Sequence, residues 1–254
     1  MRYFIHISYF GAAYNGWQSQ PEGQGIGVQQ VIEKALSTIL REKVEIVGAG
    51  RTDTGVHARN MYAHMDIEKE IEDKKNIIGR LNSILPKDIA IHDIFPVNDT
   101  AHARFDAIER EYIYHIHTHK DPFEAGRSYH FFHSLDIDAM NRACDIMMKH
   151  IDFQCFSKVK TDVKTFICYI TYARWEDMGG GRLRFTIRAD RFLRNMVRAI
   201  VGTMIDVGRG KIKPEDLNDI IESRSRCESG MSAPAHGLTL NRVEYPWANI
   251  LIDK

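Results

Sequence analysis

The sequence predicts an α+β protein made of two RRM-like (ferredoxin-like) α/β sandwich domains with antiparallel sheets. The first observation is the order of predicted elements in roughly the first hundred residues, β-α-β-β-α-β, which is the ferredoxin-like order. The second is that a similar set of strands and helices follows from residue 104 onward. The third is the length of 254 residues, which is too long for one small domain and suits two. We therefore expect domains at 1–103 and 104–254.

Apolar periodicity locates the elements of the first domain. Alternation predicts strands, and apolar residues repeating at helical spacing predict amphipathic helices. A ferredoxin-like sheet carries both helices on one face and leaves the other face free, and such a face commonly binds RNA. The predicted strands cover 2–9, 44–48, 61–67 and 89–94, and the predicted helices cover 28–41 and about 70–83.

A glycine-rich loop, Gly48 to Ala58, follows the strand at 44–48. Three glycines within eight residues indicate a sharp turn or a close approach of the backbone to another segment. Arg51 and Asp53 lie inside this loop, separated by one threonine. A solvated turn is the ordinary interpretation of Asp followed by Thr-Gly. Loops at strand ends are also where reactive groups are often built, so Asp53 is a candidate reactive carboxylate.

The second domain is predicted to begin with a strand near 110–117. Period two places Tyr112, Tyr114 and Ile116 on one face, where a tyrosine could be ordinary core or a binding residue. His115, His117 and His119 are evenly spaced but have no nearby carboxylate, so we expect no metal site. The later predicted elements are helices at 136–149, 192–208 and 214–223, and strands at 164–176 and 182–190 joined at Gly179-Gly180-Gly181.

Basic residues concentrate on two of these elements. Arg182, Arg184 and Arg188 share one face of the strand at 182–190, which is either solvated or RNA-facing. We favour RNA, because neighbouring like charges are costly without a polyanion. Arg191, Arg194 and Arg198 are spaced i, i+3 and i+7 on the helix predicted at 192–208 and form a basic stripe, which by itself could also be a solvated face. We expect Arg188, Arg191 and Arg194 to contact RNA, together with Gln18 from an aromatic and amide-rich loop near the N-terminus.

Composition sets limits on the class of protein. Hydrophobic residues make up 44% and charged residues 27%, as in ordinary soluble globular proteins. Lys+Arg and Asp+Glu both number 34, so the net charge argues neither for nor against a nucleic-acid partner. The four cysteines show no CxxC or metal-finger spacing, and no signal-like or membrane-spanning segment is evident. We expect a cytoplasmic protein with free thiols and no membrane partner.

Several motifs resemble those of the TruA family of tRNA pseudouridine synthases, in the family's order. The most specific is the string Gly-Arg-Thr-Asp-x-Gly-Val-His-Ala that starts at Gly50. Two departures are visible: Phe10 stands where the family usually has Asp before Gly11, and Glu111 stands where many relatives carry a basic residue. The other similar segments are Tyr14–Gln20, Arg110–Tyr114, Asp152–Phe156, Phe192–Gly202 and Pro234–Pro246.

The resemblance implies isomerisation of uridine to pseudouridine in the anticodon arm of tRNA, at positions 38 to 40 in bacterial relatives. It implies a homodimer and a pseudouridine synthase core that needs no cofactor. Consistently, we find no P-loop or dinucleotide fingerprint in the sequence. The resemblance also assigns roles to six residues, of which Asp53 and Arg51 lie in the first predicted domain. Asp53 is catalytic, Arg51 occupies the space that the flipped base leaves or holds the backbone, Tyr112 packs on the target base, and Arg198 pairs with the aspartate. Leu238 and Leu240 form an apolar floor for the base, with ordinary strand packing as the alternative.

Two other functions remain as alternatives. A non-catalytic RNA-binding protein with two RRM-like domains would explain the repeated topology, but the aromatic RNP strings of that class are absent. A hydrolase that uses Asp53 with His57 would need an oriented nucleophile, and none is evident. The RNA-binding alternative leaves the combination of Arg51, Asp53, Tyr112 and Arg198 unexplained, and in the hydrolase alternative Asp53 and His57 lie only four residues apart on a glycine-rich loop.

Overall fold

The computed structural model describes residues 1–158 and 163–252. These residues form two compact units, which we describe separately. The N-terminal unit comprises Met1–Ile108 and the segment that starts at Leu240, and the central unit comprises Glu109–Thr239. The α+β class is confirmed, whereas the RRM-like character of each domain and a boundary between residues 103 and 104 remain predictions.

The N-terminal unit contains an antiparallel sheet and two long helices. In the sheet, β1 lies between β4 and β3, and β2 pairs with the other edge of β3. Fully buried residues from strands and helices, among them Ile5, Ile32 and Leu81, form the core. The strands are β1 Arg2–Tyr9, β2 Ile46–Gly48, β3 His57–Asp66 and β4 Ile89–Val97, and the helices are α1 Val28–Leu40 and α2 Lys74–Ile84.

The sequence had led us to expect that the second face of this sheet would be free. In the structure, this face is partly covered. Phe4 alternates with Ile5 and therefore points away from the core that Ile5 helps to form. The rings of Tyr245 and Trp247 pack edge-on against Phe4, with centroid distances of 5.5 Å and 6.4 Å. The C-terminal segment therefore covers part of the face that an isolated ferredoxin-like domain would expose.

The strands of the central unit pair mostly antiparallel: β8 lies between β5 and β7, and the short β6 runs parallel to β5. Gly179, Gly180 and Gly181 all have positive φ in the β7–β8 turn. The strands are β5 Glu109–His117, β6 Tyr129–His130, β7 Ile170–Asp177 and β8 Arg182–Ala189, with β9 Leu238–Glu244 starting in this unit and ending in the other. The helices are α3 Ile137–Met147, α4 Met196–Gly208 and α5 Leu217–Glu222, and α6 Trp247–Ile250 belongs to the N-terminal unit.

One helix boundary changes a sequence-based conclusion. Helix α4 begins at Met196 rather than at 192, because Asn195 adopts a left-handed conformation with φ of 67°. Arg191 and Arg194 therefore precede the helix, and the prediction of a helical stripe of three arginines is wrong. Strand β7 similarly begins at Ile170 rather than at 164.

Within the described residues, no helix is long and apolar enough to cross a membrane.

Candidate active site

Asp53 opens a tight turn between β2 and β3. The Val56 N–H donates to the Asp53 carbonyl over 3.1 Å, which closes a four-residue turn. Gly55 occupies the third position with φ of 80°, the left-handed conformation that a type II turn requires there. Asp53 is half-buried and Arg51 is exposed. The turn thus fixes the backbone that carries the carboxylate, while the neighbouring guanidinium lies at the surface.

The loop that carries Asp53 is held by the Tyr14–Trp17 segment. The Trp17 N–H donates to the Thr52 carbonyl over 3.2 Å, and the Gly55 N–H donates to the Tyr14 carbonyl over 3.3 Å. Gly16, with φ of 84°, lies so close that an added Cβ would be 2.4 Å from the Thr52 carbonyl oxygen. Two segments that resemble separate family motifs are therefore packed on each other, around the candidate catalytic residue.

A second set of contacts anchors the two ends of this loop. The Tyr9 and Thr52 hydroxyls lie 2.8 Å apart in a buried environment. The Gly11 N–H donates to Nδ1 of buried His57 over 2.9 Å, and the Phe10 ring stacks on the His57 ring at 4.3 Å with nearly parallel planes. Phe10 thus provides an apolar contact at the position where the family usually has Asp. His57 anchors the loop, and this role does not support the hydrolase alternative.

Arg198 and Tyr112 lie in the central unit. Arg198 lies in the first turn of α4, where its Nε donates to the Ala233 carbonyl over 2.8 Å and its own carbonyl accepts from the Ala233 N–H over 2.9 Å. Tyr112 on β5 is half-buried and packs edge-on against Phe192, with ring centroids 5.2 Å apart. Burial of the neighbouring Tyr114 raises the pKa of its phenol, whose hydroxyl donates to the Pro234 carbonyl.

The remaining predicted base-contact residues lie on β9. Leu238 and Leu240 are both buried, with exposures of 5% and 2%. Leu238 belongs to the central unit, whereas Leu240 begins the C-terminal segment of the N-terminal unit. The N-terminal unit thus carries Asp53, Arg51 and Leu240 of the predicted set, and the central unit carries Tyr112, Arg198 and Leu238.

Two arginines of the basic strand β8 have carboxylate partners on neighbouring strands. Arg188 Nε lies 2.5 Å from Oε2 of buried Glu111 on β5, its direct cross-strand neighbour. Arg184 pairs at 2.9 Å with Glu176 on β7, also its cross-strand neighbour. The premise that these charges need a polyanion is therefore wrong for Arg184 and Arg188. The register of β5 against β8 would have revealed the Glu111 pair, but sequence alone does not give that register.

The other residues predicted to contact RNA are distributed over two loops. Gln18 is half-buried, and its carbonyl accepts from the Gln20 side-chain amide over 2.7 Å. Arg191 is half-buried and Arg194 exposed, both in the segment before α4. Their contact with RNA remains a prediction.

In the part of the chain that the structure describes, no cluster of His, Cys, Asp or Glu could hold a metal ion.

Known proteins resemble this chain over most of its length. A family model described as tRNA pseudouridine synthase matches residues 5–106 and 150–246. A tRNA pseudouridine synthase A from Parabacteroides distasonis is 51% identical over 245 residues, covering 96% of both chains. The protein of that name from Bacteroides thetaiotaomicron is 51% identical over 247 residues, covering 96% of this chain and 91% of its own. The one from Bacillus subtilis is 37% identical, covering 96% and 99%. The chain therefore belongs to the tRNA pseudouridine synthase family.

Proposed function

We propose that this protein isomerises uridine to pseudouridine in the anticodon arm of tRNA, with Asp53 as the catalytic carboxylate. The observation that carries the proposal is the family match over residues 5–106 and 150–246. The hydrogen-bonded turn that begins at Asp53, inside the most specific motif, supports it. The target positions 38 to 40 follow from the resemblance to bacterial relatives.

The reaction requires no change in the composition of the RNA. The N1–C1′ glycosidic bond breaks, the uracil turns, a C5–C1′ bond forms, and the proton on C5 is lost while N1 gains one. No electron is transferred and no group donor is consumed. A carboxylate can promote glycosidic cleavage either by attacking C1′ or by removing a proton from the ribose, and Asp53 provides the charged oxygen that both routes need.

The base must leave the stacked loop before it can react. Extrusion costs a few kcal/mol, which stacking and phosphate contacts must offset. In our proposal Tyr112 stacks on the extruded uracil, and Leu238 and Leu240 supply apolar surface near it. Arg51, exposed two residues before Asp53, occupies the vacated space or holds the backbone.

Asp53 must remain ionised while the bound RNA shields it from water. The resemblance pairs Arg198 with the catalytic aspartate, and an adjacent guanidinium favours the charged carboxylate and orients it through hydrogen bonds. The bond from Arg198 Nε to the Ala233 carbonyl supports this role, because it fixes one edge of the guanidinium. We further propose a cytoplasmic homodimer, in which one subunit holds the tRNA body while the other modifies it.

The test is tritium release from tRNA transcripts that contain [5-³H]uridine, with wild type compared with Asp53→Asn. Pseudouridine formation obliges C5 to lose its hydrogen, whereas RNA binding alone does not. We expect release by the wild type and none by Asp53→Asn, with tRNA affinity largely unchanged in the variant.

The other outcomes overturn specific parts of the proposal. Absence of release across several tRNAs, with binding intact, would favour the non-catalytic RNA-binding alternative. Equal release by both proteins would retain the enzyme and exclude Asp53 as its catalytic group. Mapping of pseudouridine in the products would test positions 38 to 40 separately.

A further inference from the structure

We propose that Arg226 is a positioning residue that fixes the guanidinium of Arg198 through the segment Ser229–Ala233, hereafter the bracing segment. The inference rests on the proposed function, because it assumes that Arg198 acts in the uridine reaction. Its contacts all lie within the central unit. Arg226 lies outside the segments that resemble the family motifs.

The guanidinium of Arg226 organises the bracing segment by four hydrogen bonds. Nη1 donates to the Ser229 hydroxyl over 2.7 Å, to the Gly230 carbonyl over 2.9 Å and to the Ser229 carbonyl over 3.3 Å. Nη2 donates to the Ser232 hydroxyl over 2.9 Å. A planar guanidinium can serve several acceptors in fixed directions, whereas a lysine ammonium is a single point charge. One side chain thus holds three residues of the segment in place.

The bracing segment is in turn fixed to helix α4 and its flanks. The Gly230 N–H donates to the Thr203 hydroxyl over 2.8 Å, and the Asn195 amide donates to the Ser232 hydroxyl over 2.7 Å. Gly202 permits the close packing, since a Cβ there would lie 1.7 Å from the Met231 carbonyl oxygen. A side chain at position 202 would therefore displace the bracing segment from the helix.

The last residue of the bracing segment holds Arg198. Ala233 accepts from Arg198 Nε and donates to the Arg198 carbonyl, at 2.8 Å and 2.9 Å. The position of the Ala233 carbonyl therefore sets the direction of the Arg198 side chain. A chain of direct contacts leads from Arg226 through Ser229, Gly230 and Ser232 to Ala233 and Arg198. Loosening Arg226 should increase the angular freedom of the Arg198 guanidinium without removing its charge.

The experiment compares Arg226→Gln and Arg226→Lys with Arg224→Gln as a matched control. Arg224 is two residues away, is exposed, and pairs with Asp152 at 3.0 Å instead of the bracing segment. We expect the Arg226 variants to lower the single-turnover rate at saturating tRNA by about 10- to 100-fold, since small misplacements of catalytic groups have effects of that size. The Kd for tRNA should change less than threefold, and the control should behave as wild type. The Lys variant tests the proposal even if Arg226→Gln fails to fold.

A double-mutant comparison separates positioning from general loss of structure. If Arg226 acts through Arg198, substituting Arg226 in an Arg198→Lys background should cause little further loss of rate. Additive losses would overturn the proposal. The NMR signal of the Arg198 Nε–H provides a readout without RNA, and it should shift and exchange faster with solvent in the Arg226 variants but not in Arg224→Gln. An unchanged Nε–H signal would overturn the proposal, whereas an inactive wild type would instead refute the proposed function.

Discussion

The hydroxyl of Tyr9 lies 2.8 Å from the hydroxyl of Thr52, and both side chains are buried, with Thr52 directly preceding the candidate catalytic Asp53. Tyr9 ends β1 and Thr52 lies in the loop between β2 and β3, so the bond joins the sheet to the loop. Each hydroxyl gives the other a hydrogen-bond partner at a place where water has little access. The pair therefore couples the stability of the fold to the position of Asp53.

The first prediction concerns this pair. Tyr9→Phe and Thr52→Val each leave a buried hydroxyl without this partner, and each should lower the free energy of unfolding by about 1 to 3 kcal/mol. The double variant should lose less than the sum of the two, because neither hydroxyl remains. Urea unfolding measures the three values. Strictly additive losses would contradict an energetic link between the two residues.

The second prediction uses two glycines with almost the same backbone conformation. Gly16 has φ of 84° and Gly23 has φ of 83°, but a Cβ at Gly16 would meet the Thr52 carbonyl at 2.4 Å and one at Gly23 would meet nothing within 4 Å. Replacement of either by Ala should cost about 1 kcal/mol from left-handed strain. Gly16→Ala should cost more and lower the turnover rate, because the clash displaces the Asp53 loop. Equal effects on turnover would show that the close approach is unimportant.

The third prediction concerns Arg188 and Glu111. Because Glu111 is buried and pairs with Arg188, we expect Arg188→Gln to lower the free energy of unfolding by about 1 to 3 kcal/mol. Glu111→Gln should cost less, because the Arg188 side chain is 37% exposed and water can solvate its guanidinium. Arg188→Gln should leave the dependence of log Kd for tRNA on log salt concentration unchanged. If Arg188 instead binds a phosphate, its removal should reduce that slope by about 0.7 to 0.9, and this result would support the RNA contact predicted from sequence.

The fourth prediction concerns pH. Burial, with a smaller contribution from Arg2, lowers the pKa of His64 to about 4, against 6.5 for an ordinary histidine. Above pH 6.5 neither the folded nor the unfolded state holds this proton. Between pH 6.5 and 4 the unfolded state takes up the proton and the folded state does not, so the free energy of unfolding falls by about 3 kcal/mol; below pH 4 this contribution stops changing.

His64→Asn isolates this effect. The Asn carbonyl can replace Nδ1 as the acceptor of the Ala103 N–H, a bond of 3.1 Å, but it does not titrate. Unfolding free energies measured between pH 7 and 4 should therefore fall less steeply in His64→Asn than in wild type. Exposed His119→Asn serves as the control and should follow the wild-type curve. Parallel curves for wild type and His64→Asn would refute the prediction.

Elements with strong periodicity could be predicted well from the sequence. The strand predicted at 2–9 and the helix predicted at 28–41 agree closely with β1 and α1, because their apolar residues face one core. Helix boundaries that depend on a single side chain or one backbone angle were harder to predict from the sequence. Helix α2 begins at Lys74 because the Asp73 side chain accepts from the Asn76 N–H, and Asn195 delays α4 by its left-handed conformation.

The candidate catalytic residue could be identified from sequence, but its supports could not. Asp53 stands out because the string around it is specific and nearly continuous. Tyr9, Glu111 and Arg226 act through partners that are distant in sequence or on neighbouring strands, and the pairing register decides those contacts. Gly16 offered a weak signal, since a glycine in a loop can adopt positive φ and permits a close approach of the backbone.

The path of the chain imposes an order on folding during synthesis. The Asn98 N–H donates to the Ile250 carbonyl over 3.0 Å, and Tyr245 and Trp247 cover Phe4, so residues after Leu240 complete the N-terminal unit. The ribosome makes all of Glu109–Thr239 before those residues. The central unit can thus acquire its full core first, although it comes second in the chain. Until translation passes Trp247, the Phe4 ring of the nascent N-terminal unit lacks the aromatic cover that completes its packing.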